Sequence, residues 1–334
     1  MADHTERLEI LKTIEEQRGS KAILYVTGDR PGLETQIAKD VHDIFVDHLD
    51  AIGPTEKISL ILHTNGGDTA AAWRLVNLLH IFSEKLEVII PSKSLSSGTI
   101  IALGADNIVM TKQAVLGPID PSVNSPMNPQ IPGAAPNAKY PVSVEAVQGY
   151  LNIATEELGM KSDDALAQIF TQFSNQVHPL ILGQIYRSRS QIRLLGTELL
   201  KKQVKDSMKI DQIVSFLCSE TGSHDYTINR REAKNLGLNI ENPTQEFYGI
   251  VKSLYGNFTE DMELRNPLNP VNYLDEDGKG DYQFTRLIVE STAKEPDHFV
   301  SKGTFTRVDN QPAPNGLVTQ LIQDNREFEG WIRL

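Results

Sequence analysis

Ser96, within Ser94-Leu95-Ser96-Ser97-Gly98-Thr99, and the pair Gly66-Gly67, within Ile61-Leu62-His63-Thr64-Asn65-Gly66-Gly67-Asp68, have the types and setting that acyl transfer needs. A serine hydroxyl attacks a carbonyl carbon when a base takes its proton, and backbone N–H groups held in tight turns stabilise the oxyanion that forms. Both segments follow an apolar run, pass through small residues and lead into an amphipathic stretch. That pattern is a strand, a tight turn and a helix N-terminus, where unpaired N–H groups converge. Taken alone, Gly66-Gly67 reads equally as an ordinary turn, and Ser94, Ser96 or Ser97 as a helix N-cap. Two such turns in successive strand–helix units favour chemistry, because neighbouring parallel strands bring their C-terminal ends to one crevice. Ser96 is then the nucleophile, and the N–H groups of Gly67 and Ser97, with Gly66 in the same loop, form the oxyanion hole.

The elements that must position these residues alternate. Residues 22–26, 58–62, 86–90 and 108–110 are almost continuously apolar and read as buried parallel strands. Between them, 33–49 (Ile37, Val41, Ile44, Phe45, Leu49) and 68–82 (Ala71, Leu75, Leu78, Leu79, Phe82) carry helical stripes, and a further helix starts near Ser97. Seven prolines interrupt residues 115–141, which predicts either a disordered stretch or a functional lid or binding loop. Helices follow at 143–158 and 163–202, the second kinked at Pro179, and Asn229 with Glu232 caps a short helix that stops at Gly237. From about 243 the character changes: a helix at 245–255, a polar linker at 266–280, strands at 284–291 and 299–308, and a tail carrying Phe328 and Trp331. The expected division is a domain at 1–242 and an accessory region at 243–334.

Composition narrows the class. With 334 residues the chain exceeds what one core comfortably organises. The net charge of −12 disfavours nucleic acid and anionic membranes as partners. Cys218 is the single cysteine, so no internal disulfide forms, and a reducing, cytoplasmic setting is expected. Residues 1–18 lack the apolar core and cleavage site of a signal peptide, and no run is long enough to span a membrane. No zinc-ligand spacing, phosphate loop or dinucleotide fingerprint is found, so neither metal nor cofactor is expected.

Five runs, in order over residues 7–240, carry a resemblance: Leu62 through Gly67, Ser94 through Ala105, Leu116-Gly117-Pro118-Ile119-Asp120-Pro121, Ser223-His224-Asp225-Tyr226, and Glu232 through Leu238. The sequence resembles the Clp-fold serine proteinases of the serine dehydrogenase proteinase family, which are similar to signal peptide peptidase A and more remotely to the Clp protease proteolytic subunit. The resemblance implies an α/β ClpP/crotonase-like spiral of ββα units, here with a small C-terminal α+β appendage. It also implies a serine nucleophile at Ser96, a lysine or histidine base, and homo-oligomers. In the signal-peptide-peptidase-like relatives a lysine downstream of the serine, just before a helix, is the base; Lys139 fits that place, and burial would have to lower its pKa. His224 and His178 are the alternative bases, and His63 is expected to fix the glycine turn by hydrogen bonding. Gly117, Pro118 and Ile119 are expected to border an extended peptide substrate, and Asp120 to be a turn residue. Asn65 stands where relatives usually have proline. The function expected is ATP-independent hydrolysis of peptides or unfolded protein. The alternatives are an acyl-CoA enzyme of the crotonase kind and a non-catalytic oligomeric scaffold.

Overall fold

Lys21 is the one exposed residue of the first strand, because the other six are apolar or small and face helices on both sides of a sheet. The computed structural model describes residues 4–119, 122–123, 125–133, 138–140, 142–220, 225–308 and 321–333. In chain order the first elements are α1 (His4–Arg18), β1 (Lys21–Thr27), α2 (Val41–Ile52), β2 (Thr55–His63), α3 (Thr69–Phe82) and β3 (Ser83–Ile90). Next come β4 (Lys93–Ser94), α4 (Ser97–Leu103), β5 (Asn107–Met110), β6 (Val115–Leu116), β7 (Ser122–Val123) and β8 (Val142–Ser143). Helices α5 (Val144–Asn152), α6 (Asp163–Gln176), α7 (Pro179–Leu200) and α8 (Ser207–Ser215) precede β9 (Ile228–Asn229), α9 (Arg230–Leu236) and β10 (Ile240–Glu241). The chain ends with α10 (Gln245–Asp261), β11 (Lys279–Ser291), β12 (Lys294–Val308) and β13 (Leu321–Arg333).

The fold is α/β, as expected. One eight-stranded sheet has the order β10-β5-β3-β2-β1-β11-β12-β13, and a three-stranded sheet β4-β6-β9 lies beside the turn at Ser96. From β10 to β1 neighbouring strands are parallel, and from β1 onward they are antiparallel. Helices α2, α3 and α4 cover one face, packing Phe45, Leu75, Leu79 and Ile101 on Ile23, Leu60 and Val88. The other face is covered by α1 and α10, whose Leu11, Ile14, Val251 and Phe258 meet Leu24, Ile61 and Ile89.

Three expectations are corrected. The helix expected from residue 33 begins only at Val41. Residues 33–40 instead spend their backbone groups on other parts of the chain: Thr35 N–H donates to Gly28 C=O, and Ile37 N–H to Gly66 C=O, both at 2.8 Å. Pro179 does not kink one helix; it is the first residue of α7, after α6 has ended at Gln176. The C-terminal strands are no separate β unit, since β11 pairs with β1 over Ile23–Thr27 and continues the main sheet. A buried network ties this region to the N-terminus: Arg7 holds Glu290 at 2.8 Å, Asn257 at 2.9 Å and Asp261 at 2.8 Å.

Candidate active site

The two turns singled out in the sequence meet. Strand β2 ends at His63 and the chain turns through Gly66 and Gly67, at φ 105° and 146°, into α3, capped by Asp68 accepting from Ala71 N–H. After β3 and β4 the chain turns at Ser96 into α4. A Cβ on Gly66 would stand 2.8 Å from Ser96 Cβ, 2.8 Å from Leu95 O and 3.1 Å from Ser97 N, so only glycine lets the two turns approach this closely. Across the contact, Ser97 Oγ–H donates to Gly67 C=O at 2.6 Å.

Ser96 has the backbone of a strained turn, φ 50° and ψ −115°, a conformation that costs non-glycine residues on the order of 1–3 kcal/mol and that surrounding structure must enforce. The three serines of the run divide clearly. Ser94 is fully buried, Ser97 is buried with its hydroxyl spent on Gly67, and Ser96 is half-buried with no capping bond to its helix. The N-cap explanation therefore does not account for Ser96. Of the three, Ser96 is the one that is not buried.

The available N–H groups follow from the bonding of the turns. Gly66 N–H donates to Thr64 Oγ1 at 2.9 Å, so this glycine contributes space rather than an oxyanion donor, a correction to the expected three-residue hole. Ile37 N–H takes Gly66 C=O and Asp68 N–H takes Ile37 C=O, which puts the N–H and C=O of Gly67 on the opposite edge, toward Ser97. Gly98 N–H bonds Leu95 C=O at 2.8 Å, leaving Ser97 N–H, the first of α4, without a carbonyl below it. Ser97 follows Ser96 directly, and Gly67 lies across the contact of the two turns.

Behind the turns lie hydroxyls and ions that the motif reading did not assign. Thr64 Oγ1 also meets Thr27 Oγ1 at 2.7 Å, and Thr99 Oγ1 lies 3.0 Å from Ser94 O and 2.8 Å from Gly117 O. Asp29 pairs with Lys93 and lies 3.5 Å from His63 Nε2. Burial opposes ionisation of Asp29, but the hydrogen bonds and charges of His63 and Lys93 outweigh it and lower its pKa to about 2. Burial, assisted by the charge of Lys93, pushes the His63 imidazole down against the opposing pull of Asp29, whose Oδ1 lies 3.5 Å from Nε2. His63 is packed on Tyr255 and Phe258; Thr64, not His63, fixes the glycine turn.

The other expected residues are not drawn to Ser96. Lys139 is half-buried in a short antiparallel bridge with Gln130, without a hydrogen bond to Ser96. His178 caps α7, its Nδ1 accepting from Leu180 N–H at 3.2 Å. His224 and Asp120 lie outside the described residues. Gly117, Pro118 and Ile119 are buried; Gly117 bonds Thr99 through both backbone groups, and Ile119 N–H donates to Leu217 C=O at 2.9 Å. This stretch braces the turn at Ser96, and its backbone groups named here are spent within the chain. A serine–histidine–aspartate neighbourhood elsewhere, with His48 Nδ1 2.8 Å from Ser291 Oγ and Nε2 3.2 Å from Asp297, is buried throughout and gives an acyl group no access.

A half-buried serine on a strained strand-to-helix turn stands where a second, glycine turn meets it. Residues 1–139 match the family described as ClpP-like SDH-type serine proteinase, in agreement with the resemblance read from the motifs. Two uncharacterized proteins of Methanocaldococcus jannaschii are each 29% identical to this chain, over 257 and 256 residues, covering 74% of it and 77% and 76% of their own lengths. Among solved structures, a mutant of a membrane-bound stomatin-specific protease aligns at TM-score 0.38 and 16% identity, over 69% of this chain and 85% of its own. ClpP1 from Listeria monocytogenes aligns at TM-score 0.37 and 14% identity, over 70% of this chain and 98% of its own. No helix among the described residues is long and apolar enough to cross a membrane.

Proposed function

We propose that this protein is a serine peptidase that cleaves peptides or unfolded protein segments through an acyl-enzyme on Ser96. The observation that carries this reading is the contact of the two turns. In this reading the Ser96 hydroxyl faces the substrate and the N–H groups of Gly67 and Ser97 hold the oxyanion, which the close approach of Gly66 to Ser96 and the Ser97–Gly67 bond support. In the proposed reaction Ser96 Oγ attacks the scissile carbonyl, the base takes its proton, and the carbonyl oxygen, now negative, is held by the two N–H groups. The base returns the proton to the leaving amine, and water then releases the acyl group by the same steps. Lys139 is the base in this reading, on the strength of its place after the nucleophile turn. Its Nζ must come within hydrogen-bond reach of Ser96 when substrate is bound, as catalytic contacts in empty sites are often loose. Assembly into homo-oligomers belongs to the same reading; Phe170, Leu180 and Tyr186 on α6 and α7 present apolar surface in the single chain.

A fluorophosphonate probe tests the nucleophile. The wild-type chain is expected to be phosphonylated at Ser96, located by peptide mass spectrometry, and Ser96→Ala to take up no label. Labelling of Ser96→Ala at the wild-type rate would refute the assignment.

A further inference from the structure

Gly67 is held from outside its own loop. Its φ of 146° is accompanied by a main-chain approach from residues 36–37 so close that a Cβ would overlap the backbone of Ile37. Those residues end a strap, 28–37, whose fastenings lie mostly in the C-terminal region. Gly28 N–H donates to Arg286 C=O at 2.8 Å, and Thr35 Oγ1–H donates to the same carbonyl at 2.7 Å. Arg286 reaches back with its side chain, Nε to Leu33 C=O at 3.1 Å and Nη2 to Glu34 C=O at 2.7 Å. Its remaining nitrogen, Nη1, meets Ser301 Oγ at 3.1 Å and Glu329 Oε2 at 2.8 Å, which fixes the plane of the guanidinium. The Leu33 side chain is buried among Tyr282, Phe284 and Phe305 of the hairpin. Arg30 donates to Asn266 C=O and lies over the Phe284 ring.

The register of β11 against β12 shifts between Thr285 and Leu287. Such a bulge re-aims the residue it contains, here Arg286, and frees its carbonyl from the ladder. A chain of bonded groups therefore runs from Glu329 and Ser301 through Arg286 to Leu33 and Glu34. Thr35 and Ile37 carry it on to the backbone that faces Gly67.

We propose that Arg286 is a positioning residue for the oxyanion loop. Through the strap it sets the angle of Gly67 N–H, so that the C-terminal hairpin β11–β12 is part of the hydrolytic machinery. The proposal rests on the peptidase reading for its catalytic consequence and on bonding alone for the mechanical link. A planar fork spanning two successive carbonyls is something arginine provides and a lysine ammonium does not.

The test uses the full chain with Arg286→Met, Arg286→Lys and Thr35→Val, each read by thermal melting, by the rate of fluorophosphonate labelling of Ser96 across pH, and by amide hydrogen exchange. Misplacement of a donor by a fraction of an ångström predicts labelling about 10- to 100-fold slower in both Arg286 variants. The pH profile should keep its shape, because the base is untouched. Exchange should quicken at residues 35–38 and 64–68 and not elsewhere. Thr35→Val, which keeps the shape and loses one bond, should show the same changes to a smaller degree. Variants that melt like the wild type, label at its rate and exchange like it would overturn the proposal, as would faster exchange spread over the whole chain. If the wild-type chain took up no label, the peptidase reading would fail. The exchange pattern by itself would then uphold or refute the link between Arg286 and Gly67.

Discussion

At Thr64 one hydroxyl meets two needs, accepting Gly66 N–H at 2.9 Å and sharing a proton with Thr27 Oγ1 at 2.7 Å, in a place with no access to water. Thr64→Val keeps the shape and strands both partners, and a buried polar group left unpaired costs about 1–3 kcal/mol. Urea denaturation should show that loss, and Thr64→Ser should restore most of it; a neutral Thr64→Val would mean that the glycine turn holds itself. Thr64 was readable in principle, since a threonine two residues before a glycine in a turn bonds that glycine's N–H. The turns that hold Ser96, Gly67 and Ser97 were legible because strand, small-residue turn and helix are written in contiguous residues. The Asp29, His63 and Lys93 cluster was not, because its members stand at or just past the ends of β1, β2 and β3 and only the sheet brings them together.

Elements were legible where local pattern and tertiary use coincide, and not elsewhere. Leu33, Ile37 and Val41 repeat every four residues, yet Leu33 packs in the hairpin's aromatic cluster while Ile37 and Val41 enter the main core. A helical spacing here belongs to an extended strap with two destinations. The C-terminal strands were readable as strands, but their pairing with β1 is a long-range choice that alternation does not encode. At 176–179 the proline signal was real and its use differed: it opens a helix, with His178 as cap. His178→Ala is therefore expected to cost about 1 kcal/mol of stability, measured by denaturation, as lost helix caps do. It should leave Ser96 labelling at the wild-type rate. Loss of labelling with stability intact would instead make His178 the base.

At the scale of the whole molecule, buried imidazoles and carboxylates make stability depend on pH. Burial, with the charge of Lys294, lowers the His48 pKa to about 4 against the opposing pull of Asp297. Between the ordinary histidine value and 4 the unfolded chain binds a proton that the folded chain does not, so stability falls as pH drops through that window, by up to about 3 kcal/mol from this group. His63, also lowered, acts in the same direction. Asp29 adds a loss at lower pH, as the medium passes from the ordinary aspartate range toward 2. Denaturation free energies measured from pH 7 to pH 4 should decline, and His48→Gln should flatten the curve; an unchanged slope in that variant would remove His48 from the account. Neither this coupling nor the Arg7–Glu290 network that joins α1 to β11 could be read from composition, which gives only the net charge of −12.

The meeting of the two turns around Ser96 is tested most directly by a crystal structure of the chain after reaction with a peptidyl phosphonate. The account predicts phosphorus bonded to Ser96 Oγ and its free oxygen within hydrogen-bond distance of both Gly67 N and Ser97 N. An adduct on another residue, or one at Ser96 whose oxygen points away from these two nitrogens, would contradict it.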